Sequence, residues 1–166
     1  MPRRAAPTTT AEADGEQTET PEEAARRIFD SDLTKRPVIA KLARIMADLP
    51  ELKPEGRNEH FKYSFIKDTQ ISGAVRPRMA REHLMVIPEV LEESWVETKT
   101  RNGGTSWVTK LKVQFTIIDA DSGDYVIGVG FGYGDDSGDK GANKAFTAAM
   151  KYFLIKLFQI GGEDLE

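Results

Sequence analysis

The sequence predicts an α+β domain in which helices pack on a three-stranded antiparallel sheet, a β-β-β-α core ending in a long C-terminal helix. Three observations carry this expectation. The spacing of apolar residues changes from helical to alternating after Leu84. Two strong turn signals, Asn102-Gly103-Gly104 and Asp119 to Asp124, then divide the alternating region into three strands. Finally, a helical pattern extends from about Asp139 to Phe158 with Gly161-Gly162 behind it, where a C-cap glycine is expected.

In chain order, residues 1–32 come first and read as a disordered acidic tail. They are Ala, Thr, Glu and Pro with few large apolar side chains, too few to offset the entropy of ordering. Of 23 Lys/Arg and 27 Asp/Glu, four and eight fall in this segment, which leaves 19 of each for residues 33–166. Residues 33–166, which hold the expected domain 33–162, are therefore neutral overall, and any polyanion must meet segregated charge.

The first helix is expected from Thr34 to Asp48, with Val38, Leu42, Ile45 and Leu49 on one stripe and Pro50 and Pro54 stopping it. A polar connector leads to Tyr63, Phe65 and Ile66. Asp68 then reads as the N-cap of a second helix with Ile71, Val75 and Met79 on one face and Pro77 as a kink. Leu84 to Thr100 reads as extended, interrupted near Pro88. In the next strand Trp107, Thr109, Leu111, Val113, Phe115 and Ile117 alternate with polar residues. The third strand sets Tyr125, Ile127, Val129, Phe131 and Tyr133 on one face against Val126, Gly128, Gly130 and Gly132 on the other. Glycines on one face let a helix backbone lie close, and the last helix is the expected occupant. In that helix Phe146, Met150, Phe153 and Leu157 form the stripe expected to pack on the sheet.

Several chemistries are excluded. There is no cysteine, hence no disulfide or thiolate metal site. No Gly-x4-Gly-Lys-Ser/Thr run exists, so the chain is not a P-loop ATPase. The glycines from Gly128 to Gly134 alternate through a strand and precede Asp135 and Asp136, which rules out a dinucleotide fingerprint. Asp119, Asp121 and Asp124 lack the spacing and closing glutamate of a calcium loop and read as a hairpin turn. His60 and His83 read as isolated surface residues. No apolar run is long enough for a membrane span, and no signal peptide is evident.

Lys140, Lys144, Thr147 and Lys151 recur at i, i+4, i+7 and i+11, with Tyr152 beside them. Cations in such a row can follow a phosphate backbone, although solvated lysine faces are common. The same segment carries a family resemblance. Its Gly-Asp-Lys-Gly, Asn-Lys-Ala, Thr-Ala-Ala-Met-Lys-Tyr and Leu-Phe-Gln-Ile pieces resemble the C-terminal motif of the ERF (essential recombination function) single-strand annealing proteins of phages. Tyr63-Ser64-Phe65-Ile66, Val75-Arg76-Pro77 and Leu84 resemble the family's N-terminal pattern. The family is similar in turn to the eukaryotic annealing recombinases.

The resemblance implies an annealing-recombinase-like fold and an ATP-independent protein, not an enzyme, that binds and anneals single-stranded DNA for homologous recombination and repair. It implies phage or prophage origin, the cytoplasm of a bacterial host, and a homo-oligomeric ring or filament. A phage exonuclease or the host single-strand-binding protein is the further partner expected. No cofactor is expected, with magnesium at most a modulator. Lys151 matches a groove lysine, Lys140 and Lys144 match the helix start, and Tyr152 stands where eukaryotic relatives place an arginine. Further DNA-binding candidates are Arg76, Arg78 and Arg81 on the second helix and Lys110 and Lys112 on the central strand; Arg78 lies near that helix's apolar face and also reads as a buried or interface residue. Tyr63 and Phe65 are candidates for stacking on bases or packing in the core. The alternative reading is a metal-dependent nuclease using Asp135, Asp136 and Asp139 beside the lysines.

Overall fold

The computed structural model describes residues 35–59, 62–100 and 102–161. His60, the acidic segment 1–32 and Gly162 lie outside the described residues. The element order is α1 (Pro37–Asp48), β1 (Gly56–Asn58), β2 (Tyr63–Phe65), α2 (Asp68–Arg81), β3 (Leu84–Lys99), β4 (Thr105–Asp119), β5 (Tyr125–Asp136) and α3 (Gly141–Leu157). Strands β3, β4 and β5 form one antiparallel sheet in that order, and β1 with β2 forms a separate two-stranded hairpin. The α+β class and the β-β-β-α core are as the periodicity implied.

Helix α1 begins at Pro37, with its proline in the first turn, where the missing N–H costs nothing. It buries Val38, Leu42 and Ile45 against Ile66, α2 and the C-terminal half of α3. Helix α2 begins one residue earlier than its expected cap: Lys67 is the N-cap, and the Gln70 side chain accepts the Lys67 amide at 2.9 Å, leaving Asp68 in the first turn. The chain stays helical across Pro77, whose ring is exposed. The connector between α1 and α2 is a hairpin, which the sequence reading missed. Strands of three residues carry too few side chains for a period to register, and the left-handed turn residue is Lys62 (φ 58°) instead of a glycine.

Strand β3 runs unbroken through Pro88, contrary to the expected interruption; the register shifts instead between Val90 and Glu92. An edge strand can accept a proline because an N–H on its outer side has no ladder partner. The β3–β4 turn forms as expected, with Gly103 at φ 77°.

The glycine face of β5 is the seat of α3. A Cβ on Gly132 would overlap the carbonyl of Ala145, one on Gly134 would overlap the carbonyl of Gly141, and one on Gly128 would come within 2.6 Å of the Phe153 ring. The consequence refines one expectation. The residues of α3 nearest the β5 backbone are Ala145 and Ala149, both 0% exposed. A helix admitted this close brings its smallest side chains to that contact, while Phe146, Met150 and Phe153 of the expected stripe pack around it against Leu111, Val113 and Phe115 of the sheet. Phe153 stacks on Phe115 with ring centroids 4.3 Å apart. Past Leu157, Gln159 rather than Gly161 takes the left-handed conformation (φ 49°), as the helix ends before the glycines arrive.

The turn after β4 is also an anchor. Lys41 of α1 bridges Asp119 and Asp121, each at 2.5 Å, and Arg36 pairs with Asp124 at 2.5 Å. His83, expected to be isolated, meets Asp121 through Nδ1 at 2.8 Å and holds a left-handed backbone (φ 54°). Asp119 is almost wholly buried, and hydrogen bonds, foremost from Lys41, hold its carboxyl at about 2. These acids are occupied by cations, the structural account of a turn that only superficially resembles a calcium loop.

Candidate nucleic-acid interface

Seating α3 through glycine and alanine leaves its opposite side free. Lys140, Asn143, Lys144, Thr147, Ala148, Lys151 and Tyr152 line one open depression of about 550 Å³ along the outer surface of the helix. The stripe read from i, i+4, i+7 and i+11 is therefore a single surface. Asn143 and Ala148 were not singled out beforehand, though Asn143 lies one helical step from Lys140 and was legible by the same rule.

The three lysines differ in state. Lys144 pairs with Asp136 at 2.5 Å and donates to the Asp135 carbonyl at 2.8 Å, so its charge is partly spent at the helix start. Asp136 also accepts the Gly138 amide at 2.8 Å, and these bonds, chiefly that from Lys144, hold its carboxyl below the usual range. Lys140 is exposed and has no ion-pair partner among the described residues. The Lys151 ammonium lies 5.3 Å from the centre of the Phe65 ring and 5.5 Å from that of Tyr152, and partial burial pushes its pKa down despite the charge of Asp68. A desolvated ammonium between two rings is held by cation–π attraction, which leaves its charge available to an incoming anion. Phe65 thus reaches the helix from β2, a pairing that no local pattern could show; Tyr63 is half exposed beside it, with ring centroids 6.1 Å apart.

The secondary candidates do not join this surface. Arg76 is exposed but lines a different depression of about 370 Å³ with Val75, Met79, Met85 and Met150. Arg78 donates to the Asp48 and Ala74 carbonyls at 3.0 and 2.8 Å, and both Arg78 and Arg81 pair with the Asp48 carboxylate. They fasten α2 to the end of α1, the interface role that helix phase allowed for Arg78. Lys110 and Lys112 stand on the helix-free face of the sheet, where Lys112 pairs with Glu92 at 2.5 Å.

The carboxylates of the nuclease reading are not brought together. Successive residues of a strand face opposite sides: Asp135 lies opposite Val108 and accepts from Ser106 Oγ, whereas Asp136 lies opposite Trp107 and faces Lys144. Among the described residues no three His, Asp or Glu side chains form a group able to hold a metal ion.

A family model of the ERF superfamily matches residues 38–165. The chain belongs to the ERF superfamily. The match spans α1 to the end of α3 and so includes the whole lysine surface. No curated protein matches the chain. Among the described residues no helix is long and apolar enough to cross a membrane.

Proposed function

We propose that this ERF superfamily member binds single-stranded DNA along the outer surface of α3 and anneals complementary strands without ATP. One observation carries the reading: Lys140, Lys144 and Lys151 share one open surface with Tyr152 and Phe65, on the helix that holds the family's C-terminal motif. Annealing makes and breaks no covalent bond. It needs phosphates neutralised so that two polyanions can approach, and it needs bases left free to pair. Lysines on a flexible stem supply the first. Aromatic rings that stack on any base supply a grip indifferent to sequence. A chain without net positive charge gains affinity by repetition, since an assembly sets many modest contacts along one strand. Recombination in a bacterial cytoplasm, alongside an exonuclease or a single-strand-binding protein, is the setting this activity fits.

The test mixes two complementary labelled oligonucleotides with the protein, without nucleotide, and follows pairing and strand length across salt concentrations. Duplex should form without shortening, and the logarithm of affinity should fall with that of salt by about 0.7 per phosphate neutralised. Joint substitution Lys140→Glu, Lys144→Glu and Lys151→Glu should abolish binding and annealing. Salt-independent affinity, or full activity in the triple variant, would refute the assignment. Strand shortening in magnesium or manganese would return the nuclease reading.

A further inference from the structure

The sheet has a second face that no part of the described fold covers. Reading across the three strands, Met85, Ile118 and Tyr125 form one row; Ile87, Thr116 and Ile127 the next; then Glu89, Gln114 and Val129; Glu92, Lys112 and Phe131; and Ser94, Lys110 and Tyr133. All five β5 residues in these rows are exposed, up to 62% at Tyr133. At about 4.8 Å between strands and about 3.3 Å per residue, this face measures roughly 14 by 33 Å. That is the order of the largest patch an ordinary monomer leaves to water.

A second bare patch lies on the opposite face. The β3–β4 hairpin extends beyond α3, and on the helix side it presents Glu93, Trp95 and Glu97 together with Trp107. Trp95 is 63% exposed. The two patches match in chemistry. One carries Lys110 and Lys112 beside Phe131 and Tyr133; the other carries Glu93 and Glu97 beside two tryptophans. Lys110 and Glu93 have no ion-pair partner among the described residues.

We propose that these two patches are the two halves of a head-to-tail interface, in which the β3–β4 arm of one copy lies over the helix-free sheet face of the next. The occupant follows from what the chain has to offer. Residues 1–34 contain only Met1, Ile28, Phe29 and Leu33 as large apolar side chains, and residues 162–166 only Leu165, too few to cover either patch. A polyanion is disfavoured because Glu89 and Glu92 balance the two lysines on that face. A two-fold pairing of the sheet faces would leave Trp95 and Trp107 bare on both copies, whereas a head-to-tail junction covers both patches at once. Repetition of such a contact builds a ring or a filament instead of a closed dimer. The two sheet edges agree. Strand β3 is guarded by Pro88, its register shift and four glutamates, whereas Tyr125 to Gly134 of β5 holds no charge and no proline.

The test is the mass of the full chain in solution by analytical ultracentrifugation over a range of concentrations, and it stands apart from the annealing assay. Wild type should form a multimer. Lys110→Glu and Glu93→Lys should each dissociate it with an unchanged circular dichroism spectrum, and the two together should restore it, because the exchanged charges meet again across the junction. Phe131→Asp with Tyr133→Asp should give monomers. A monomeric wild type, or single charge variants that keep the full mass, would overturn the proposal. So would loss of oligonucleotide binding in Lys110→Glu at unchanged mass, which would put DNA on this face. The triple lysine variant of α3 should lose DNA yet keep the multimer, so failure of the annealing reading and failure of this one are told apart.

Discussion

On one side of β5, Gly130, Gly132 and Gly134 lie under the backbone of α3 and Gly128 under the Phe153 ring; on the other, Tyr125, Ile127, Val129, Phe131 and Tyr133 face water. The two sides belong to the same ten residues and have opposite requirements. The glycine side tolerates no added atom, because helix and sheet backbones already touch. The aromatic side bears large side chains with nothing among the described residues to bury them. Alternating strands are ordinarily apolar toward the core and polar toward water; here the bulk points away from the core. The contrast teaches that small residues can mark the more tightly built face and large ones the face turned to water.

The largest expected effect breaks the closed side. Gly132→Ala forces a methyl group into the Ala145 carbonyl and should cost at least about 3 kcal/mol, the top of the usual range for overpacking, read as a lower urea midpoint. If its midpoint matched that of wild type, α3 would not lie as close as described.

An intermediate effect comes from the anchor of the β4–β5 turn. The Asp119 carboxyl is held at about 2, below its ordinary 3.8, so its contribution is present above about pH 4 and lost as pH falls toward 2. Asp121 and Asp124 are shifted in the same direction, by Lys41 and Arg36 respectively. Stability measured by urea titration should therefore drop across this window. Lys41→Met should flatten or reverse that acid limb, because an unpaired buried carboxylate gains from being protonated.

The smallest effect probes the open side. Phe131→Ala, measured at a dilution where copies are dissociated, should change stability by no more than about 1 kcal/mol, the span of strand preference, since the ring is 59% exposed. A loss as large as that of Gly132→Ala would mean that the ring is structural within one chain.

Much of this was legible beforehand, and the residues show why. The lysine row of α3 and the alternation of β4 and β5 are repeats of one local period, readable without knowing any contact. The glycine row announced a close helix, and the family motif from Gly138 to Ile160 lay in contiguous sequence. What escaped depended on partners distant along the chain. Phe65 and Lys151 are 86 positions apart and meet only because β2 packs beside α3. Arg81 read as a free cation, and Arg78 as an interface residue without a known partner, until Asp48 stood opposite them, and His83 as isolated until the turn brought Asp121 to it.

The sequence by itself determined the class of fold, the order of its helices and three long strands, and the line of cations on the last helix, because each follows from side-chain spacing along a single element. The tertiary structure alone decided which residues of that helix touch the sheet, which cations remain unpaired, and which face of the sheet stays bare. Those outcomes depend on the distance between backbones, and that distance is settled only when glycine on one element meets alanine on another.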